Sequence, residues 1–347
     1  MTPIYPGYEK TAGPSYSTLI YHKPTNSRLL FDLGLRKNWQ THLSPNLFKA
    51  LKPYGFEVKC EKDVADILLE NGLSPDDIQT VIFSHHHWDH VGDTTRFPTS
   101  TSLLVGPGYK KKYLPGWPVD PQAADTTSDL YEGRDTLELD FSPHDSKTCQ
   151  IGEYQAYDWF GDGSFYILNS PGHSTGHLSA LARTTASSDS GRGGGDQEEA
   201  TFIFLGGDIA HHCAVFRPTE HYPLPDHISP APNDNPRTAP VTSTCPGELF
   251  AALHHARNEP DGESKSRTTP FCWVAGLDED PVEAQRSVDK MLPFDSDENV
   301  LTIFAHDDTL IDVIDFFPQS ANDWKAKGWG KLGHWRFLAP LLTHGEV

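Results

Sequence analysis

The segment Ser84-His85-His86-His87-Trp88-Asp89-His90 is the most informative part of this chain. It follows residues 80–83, an apolar run that predicts a buried strand, so the histidines lie on a loop at a sheet edge. Residues two apart in an extended segment face the same side, so His85 and His87 can bind one metal ion together. The chain then turns and directs Asp89 and His90 to a neighbouring position. Nitrogen and oxygen ligands without a thiolate are typical of sites for zinc or a similar divalent metal.

Three further apolar runs also end in histidine or aspartate. They are residues 165–168, 202–205 and 302–304, and each predicts a strand. The segments that follow them are Ser170-Pro171-Gly172-His173, Gly206-Gly207-Asp208 and Ala305-His306-Asp307. Four strands that each deliver a metal-binding side chain at one end predict a metal centre built from distant parts of the chain.

Together these motifs resemble those of the metallo-β-lactamase superfamily. The box HxHxDH occupies residues 85–90, and its companions stand in the family's order between residues 32 and 307. Those companions are Asp32-Leu33-Gly34, Pro171-Gly172-His173-Ser174, Gly207-Asp208 and Ala305-His306-Asp307. The resemblance implies an α/β fold, an αββα sandwich in which two mixed β-sheets are flanked by helices. It also implies a single domain over residues 1–347.

The resemblance further implies a dinuclear centre with two divalent ions, expected to be zinc. Carried over position by position, the first ion would be held by His85, His87 and His173. The second would be held by Asp89, His90 and His306, and Asp208 would bridge both. Asp32 is expected to fix the orientation of one of these ligands.

One branch of the superfamily, the N-acyl-homoserine lactone lactonases, is most similar in two segments. These are Phe31-Asp32-Leu33-Gly34 and Phe304-Ala305-His306-Asp307. Members of that branch carry a tyrosine three positions after the bridging aspartate, and it contacts the substrate carbonyl. This chain has His211 at that position. We expect His211 to donate a similar hydrogen bond to the substrate, or the role to have moved elsewhere.

The expected activity is the opening of a small cyclic ester, a lactone, by attack of a metal-bound hydroxide. Asp89 is the expected proton shuttle to the leaving group. A lactonase of this kind would act in quorum quenching. Three other hydrolytic activities stay open: hydrolysis of a lactam, of a cyclic carbamate, and of an acyl thioester by the same fold. An oxidoreductase with iron at the same ligands and a non-enzymatic binding role are the alternatives from other classes.

The composition limits the partners of this chain. Its 347 residues include 28 Lys+Arg and 48 Asp+Glu, a formal net charge of −20. That charge argues against nucleic acid and against an anionic membrane surface. The mean hydropathy of −0.51 argues against an integral membrane protein. The expected partner is a small-molecule substrate, with a homodimer possible.

The cysteines and the first residues predict a cytoplasmic protein. The five cysteines form no CxxC pair and are an odd number, which is atypical of a disulfide framework. The first residues have neither the basic region nor the apolar region of a secretory signal.

Three segments rich in Pro, Gly, Ser or Asp predict long loops. They are residues 106–135, 184–200 and 218–246, the second being expected to form a mobile hairpin insertion. Helices are predicted at residues 62–71, 247–257 and 281–292.

Overall fold

The computed structural model describes residues 1–9, 12–187, 199–238, 241–276 and 278–343. Over these ranges, no helix combines the length and the apolar character needed to cross a membrane. The chain divides into two compact units, Ser15–Ser179 and the combination of Met1–Pro14 with Ala180–Val347. The single domain over residues 1–347 stays a prediction.

The unit Ser15–Ser179 contains a mixed five-stranded sheet in the order β1-β2-β3-β4-β5. Strand β1 is antiparallel to β2, and the remaining neighbours are parallel. The central strand β3 has the sequence TVI and is buried throughout, as expected for a strand covered on both faces. The bounds are β1 Thr18–His22, β2 Ser27–Phe31, β3 Thr80–Ile82, β4 Ser102–Val105 and β5 Thr136–Glu138.

Three antiparallel strands and four short α-helices complete this unit. The strands are β6 Thr148–Ile151, β7 Tyr154–Asp158 and β8 Phe165–Asn169. The helices are α1 Trp39–His42, α2 Pro45–Leu51, α3 Val64–Glu70 and α4 Tyr109–Tyr113. Helix α3 is the one predicted at residues 62–71, and it begins after Asp63, whose carboxylate accepts a hydrogen bond from the Asp66 amide.

The other unit is built on three long-range strand pairings. Strand β10 is antiparallel to β9 and parallel to β13, and a small two-stranded sheet joins β11 to β12. The strands are β9 Leu178–Thr185, which begins just before the boundary of the units, β10 Thr201–Leu205, β11 His227–Ile228, β12 Cys245–Pro246 and β13 Val300–Ile303. The helices are α5 Glu248–Ala251, α6 Gly262–Thr268, α7 Pro281–Asp295, α8 Trp329–Gly333 and α9 Ala339–Thr343.

The prediction of one helix over residues 247–257 is wrong, because the helix observed there is much shorter. Helix α5 ends at Ala251, and a separate 3-10 turn follows at His255–Asn258. His254 is the reason, because its Nδ1 accepts a hydrogen bond from the Ala256 amide at 3.1 Å. A side chain that caps a new turn stops the preceding helix.

The predicted loops carry more regular structure than expected. Residues 106–135 contain α4, in which Tyr109 and Tyr113 are buried one helical turn apart. Residues 218–246 contain the β11–β12 pair. The insertion at 184–200 does join two antiparallel strands, since Thr185 pairs with Thr201. Residues 188–198 lie outside the described part, so the mobility of this insertion stays a prediction.

Candidate metal centre

Three imidazole rings converge within the unit Ser15–Ser179. His85 Nε2 lies 2.8 Å from His87 Nδ1, and His173 Nε2 lies 3.0 Å from the same atom. His85 and His173 are buried, whereas His87 is half-buried. The three histidines predicted to hold the first ion are therefore brought together.

The backbone explains how histidines 86 residues apart in sequence meet. His85 and His87 lie on the segment that follows β3, three and five residues after Ile82, and His173 lies on the loop between β8 and β9. The Leu178 amide donates to the Ser84 carbonyl at 2.7 Å, which joins that loop to the end of β3. Gly172, just before His173, has φ of 126°, a left-handed backbone that a side chain would strain.

Asp32 is the centre of a buried hydrogen-bond network beside these rings. Its Oδ1 accepts from the Ser84 amide at 2.7 Å, and its Oδ2 accepts from the Ser84 hydroxyl at 2.7 Å. The same Oδ2 lies 2.9 Å from His90 Nδ1. Parallel pairing of β2 with β3 produces this contact, because both strands end at the same edge. Asp32 therefore contacts His90, and its expected role in orienting a ligand histidine stays a prediction.

These contacts select the ring nitrogen that each histidine presents. A carboxylate can only accept a hydrogen bond, so His90 carries its proton on Nδ1 and presents the lone pair of Nε2. The Ser84 hydroxyl donates its proton to Asp32, so its oxygen accepts from His85 Nδ1 at 3.0 Å, and His85 also presents Nε2. Second contacts of this kind are what orient histidines at metal sites.

Asp89 and His90 lie on the turn that closes the box. The His90 amide donates to the His87 carbonyl at 3.0 Å, and the Ser15 hydroxyl donates to the Asp89 carbonyl. One carboxylate oxygen of Asp89 and one ring nitrogen of His90 lie within 4.8 Å of each other. This pair, predicted for the second ion, is close enough to bind one ion together.

Asp208 and His306 meet in the other unit. Strands β10 and β13 are parallel, and the pairing continues beyond them, since the Ala305 amide donates to the Gly207 carbonyl at 2.8 Å. His306 Nε2 consequently lies 3.3 Å from Asp208 Oδ1. His306 Nδ1 donates to the Pro14 carbonyl at 2.8 Å, which leaves the lone pair on Nε2.

His211 contacts the same carboxylate. Its Nε2 lies 3.2 Å from Asp208 Oδ2, and its ring stacks on His306 with centroids 5.9 Å apart. The side chain of His211 is 36% exposed, so the ring stays accessible to a small molecule. A role of His211 toward substrate stays a prediction.

His86 is the histidine of the box whose ring nitrogens lie outside the groups of atoms that, among the described residues, could hold a metal ion, although its ring packs on His87. Its ring stacks on Tyr113 of α4 with centroids 3.8 Å apart. Burial, with neighbouring histidines adding to the effect, holds the pKa of His86 well below its ordinary value. It supports the box by packing. The sequence carried no signal for this partner, nor for the Pro14 carbonyl that holds His306.

The donor set fits divalent zinc. Ring nitrogens that share a tetrahedral zinc ion at about 2.0–2.1 Å lie about 3.3 Å apart. The nitrogens of His85, His87 and His173 meet that requirement within a few tenths of an ångström, at 2.8 and 3.0 Å for the two pairs measured. Neutral imidazole with no thiolate also suits other borderline divalent metals.

Comparison with known proteins shows to which family these motifs belong. The family model of the Metallo-beta-lactamase superfamily matches residues 11–180. Gamma-lactamase FDB1 of Fusarium pseudograminearum is 41% identical over 348 residues, covering 99% of this chain and 78% of that protein. Cytochrome P450 monooxygenase mpaDE of Penicillium roqueforti is 37% identical over 343 residues, or 98% of this chain. This chain spans 35% of that relative's length.

Among solved structures, the chain is similar to a mutant of AiiA from B. thuringiensis with N-decanoyl-L-homoserine bound at its active site. The TM-score is 0.50 at 17% identity, and the match covers 88% of this chain and 86% of that one. At this identity the likeness is one of fold. It confirms the predicted αββα sandwich class.

Proposed function

Because the chain belongs to the metallo-β-lactamase superfamily and is a metal-dependent hydrolase, we propose that it opens a small cyclic amide, a γ-lactam, with two zinc ions. The observation that carries the proposal is the similarity to a γ-lactamase along nearly the whole chain. The converging rings of His85, His87 and His173 support it independently.

The ligand set we propose is the one that the motif resemblance implies. His85, His87 and His173 hold one ion, Asp89, His90 and His306 hold the other, and Asp208 bridges. Two observations support the assignment, each within its own unit. One is the contact between Asp32 and His90, and the other is the contact between His306 and Asp208.

The ions, when bound, supply a nucleophilic hydroxide at neutral pH and polarise the scissile carbonyl. Asp89, which is half-buried, accepts the proton of the nucleophile and returns it to the ring nitrogen as the C–N bond breaks. That protonation matters more for an amide than for an ester, because an amide anion is the poorer leaving group. When the ions hold the Asp208 carboxylate, the Nε2–H of His211, which lies 3.2 Å from that carboxylate, donates instead to the carbonyl oxygen as negative charge develops there.

A lactone is the second candidate substrate. Phe31-Asp32-Leu33-Gly34 and Phe304-Ala305-His306-Asp307 favour it, because these segments resemble the lactonase branch. A quorum-quenching role would follow if the lactone were an N-acyl-homoserine lactone. The same residues would act on either ring, since the reacting carbonyl is common to both.

An isostructural substrate pair tests the choice. Oxindole, a γ-lactam, and 2-coumaranone, a γ-lactone, differ only in the ring heteroatom. The values of kcat/KM are divided by the uncatalysed rate constants, because the lactone is intrinsically the more reactive. We expect the larger acceleration for the lactam, and an acyl thioester measured beside them should be slower.

A preference of about 100-fold for the lactone corresponds to about 2.7 kcal/mol of transition-state binding and would replace the lactam by the lactone. The same margin for the thioester would contradict ring opening altogether. The His87→Ala variant is the control for metal-independent hydrolysis.

A further inference from the structure

A cavity lies in the unit formed by Met1–Pro14 and Ala180–Val347, and the proposed reaction does not use it. Its volume is about 550 Å³, within the range of ordinary small-molecule sites. The end of α7, strand β13 and helix α8 form its walls. None of its lining residues belongs to the ligand set assigned above.

Aromatic rings supply much of this wall. Tyr222 packs on His334 with ring centroids 4.2 Å apart, and Trp335 lies 5.7 Å from Tyr222. Trp324 lines the same cavity, and its indole N–H donates to the Thr184 hydroxyl at 3.2 Å. A wall of aromatic faces favours a planar ligand, which can pack against it or meet it edge-on.

The charges around the cavity cancel one another. Leaving histidine aside, its lining has three cationic and three anionic side chains: Arg217, Lys325 and Lys331, and Asp295, Asp297 and Glu298. The most buried of them form an ion pair, since Arg217 Nε and Nη2 donate to the Asp295 carboxylate at 2.8 and 2.6 Å. A charged ligand would therefore find no uncompensated opposite charge in this cavity. The free energy lost on removing its hydration shell would exceed the free energy gained from its contacts.

His334 provides one directional group at this cavity. Its side chain is 93% buried, and its Nε2 has no hydrogen-bond partner within the ranges that the structure describes. Its ring is held from two sides by Tyr222 and Trp335. Buried polar groups in native proteins are satisfied by protein, water or ligand, so the imidazole of His334, which lines the cavity, is the group to which a polar substituent of an occupant would bind.

We propose that this cavity is a second small-molecule site, for an uncharged planar aromatic compound of one or two rings that hydrogen-bonds to the imidazole of His334. The aromatic wall favours a flat ring, and the balanced charges favour an uncharged compound. His334 favours a hydroxyl or N–H substituent that can hydrogen-bond to it. Thr302 and Leu310, which line the cavity, stand four residues before and four after His306. An occupant would therefore contact both ends of the segment that carries His306.

The test uses 2-naphthol, with naphthalene as the matched probe that lacks a hydrogen-bonding group. Calorimetric titration of the full chain should give one 2-naphthol per chain, with Kd of about 1 mM or tighter. The His334→Phe variant keeps a flat ring and removes the nitrogens. We expect it to weaken 2-naphthol binding about tenfold and to leave naphthalene binding nearly unchanged.

A second variant fills the cavity and covers the case in which His334→Phe fails to fold. A Cβ added at Gly330 would stand 3.6 Å from Trp324 Cζ3, an ordinary contact, and both residues line the cavity. Gly330→Leu therefore places its side chain in the binding space and should abolish binding, while Gly330→Ala should keep it. The proposal is overturned if the native chain binds no 2-naphthol, or if Gly330→Leu binds as tightly as Gly330→Ala. Because the readout is binding, a failure here says nothing about ring hydrolysis.

Discussion

Asp32 Oδ2 lies 2.9 Å from His90 Nδ1, and both side chains are almost fully buried. Asp32 has φ of 59°, a left-handed backbone that aspartate and asparagine tolerate better than most residues. The chain thus holds a carboxylate in an unusual conformation at the end of β2, where it can accept hydrogen bonds from Ser84 and His90 together. The contact fixes which nitrogen His90 presents.

Replacing Asp32 with asparagine should weaken metal binding. The amide keeps the size and the backbone preference, but its NH2 group would face the N–H of His90 and the hydroxyl of Ser84. We expect zinc affinity to fall about 10–100-fold, measured by competition with a chelating dye.

A matched control exists at another histidine–aspartate contact, His22 Nε2 to Asp162 Oδ2 at 3.0 Å, which involves none of the proposed ligands. Asp162→Asn should leave zinc affinity unchanged. Equal losses in the two variants would mean that Asp32 acts through general stability rather than through His90.

Asp89→Asn should cripple turnover while the fold persists. Asparagine keeps the size of the side chain but cannot accept and return a proton. We expect kcat to fall about 100-fold or more, with an unchanged melting temperature. Metal content is measured on the same sample. A variant with full metal content and near-native kcat would rule out Asp89 as the proton shuttle.

The Arg217–Asp295 pair should be costly to break from one side. Both side chains are under 10% exposed, at 8% and 6%. Burial opposes ionisation of Asp295, yet the Arg217 guanidinium holds the pKa of that carboxyl below its ordinary value. Arg217→Met should lower the free energy of unfolding by about 3–5 kcal/mol in urea titrations, because it leaves a buried charge without its partner.

The double variant Arg217→Met with Asp295→Leu should recover much of that loss. If the double variant is no more stable than Arg217→Met alone, the lost packing of Arg217 rather than the stranded carboxylate explains the effect.

Stability should fall below pH 6.5 in part because of His334. Burial, with Arg217 adding to it, lowers the pKa of His334 to about 3. The unfolded chain therefore binds a proton near pH 6.5 that the folded chain binds only near pH 3, so stability rises with pH between these values. At pH 5 the group costs about 2 kcal/mol relative to pH 8.

His334→Phe should remove this part of the pH dependence, as read from urea titrations at pH 5 and pH 8. His144→Phe, at an exposed position, is the control and should leave the dependence as it is. A native-like pH profile in His334→Phe would show that other groups cause the acid loss.

The strand ends and the histidine box were predictable because their signals are local. Residues 165–169 carry an apolar run between turns, and β8 occupies them. The hydrogen-bond partners of the proposed metal ligands were harder to predict, because they come from distant chain segments. His306 is held by the carbonyl of Pro14, 292 residues away, and any residue type can offer a carbonyl.

Short elements escaped prediction for a different reason. Helix α4 is five residues long, too short for a helical period to be recognised. Burial of Tyr109 and Tyr113 stabilises it, as does the Glu138 carboxylate, which accepts hydrogen bonds from the Gly108 and Lys110 amides at 3.2 and 2.7 Å. The zinc identity, a homodimer and a cytoplasmic location stay predictions, since each depends on something outside the folded chain.

Elemental analysis of the purified full chain, never exposed to a chelator, tests directly whether the protein holds two metal ions. The assigned ligands form two sets of three with Asp208 between them, so we predict close to two divalent ions per chain, chiefly zinc. The His173→Ala variant, which loses a ligand of only one set, should retain fewer. A ratio near zero in the native chain would contradict the metal-dependent mechanism, and a ratio fixed at one would contradict the dinuclear assignment.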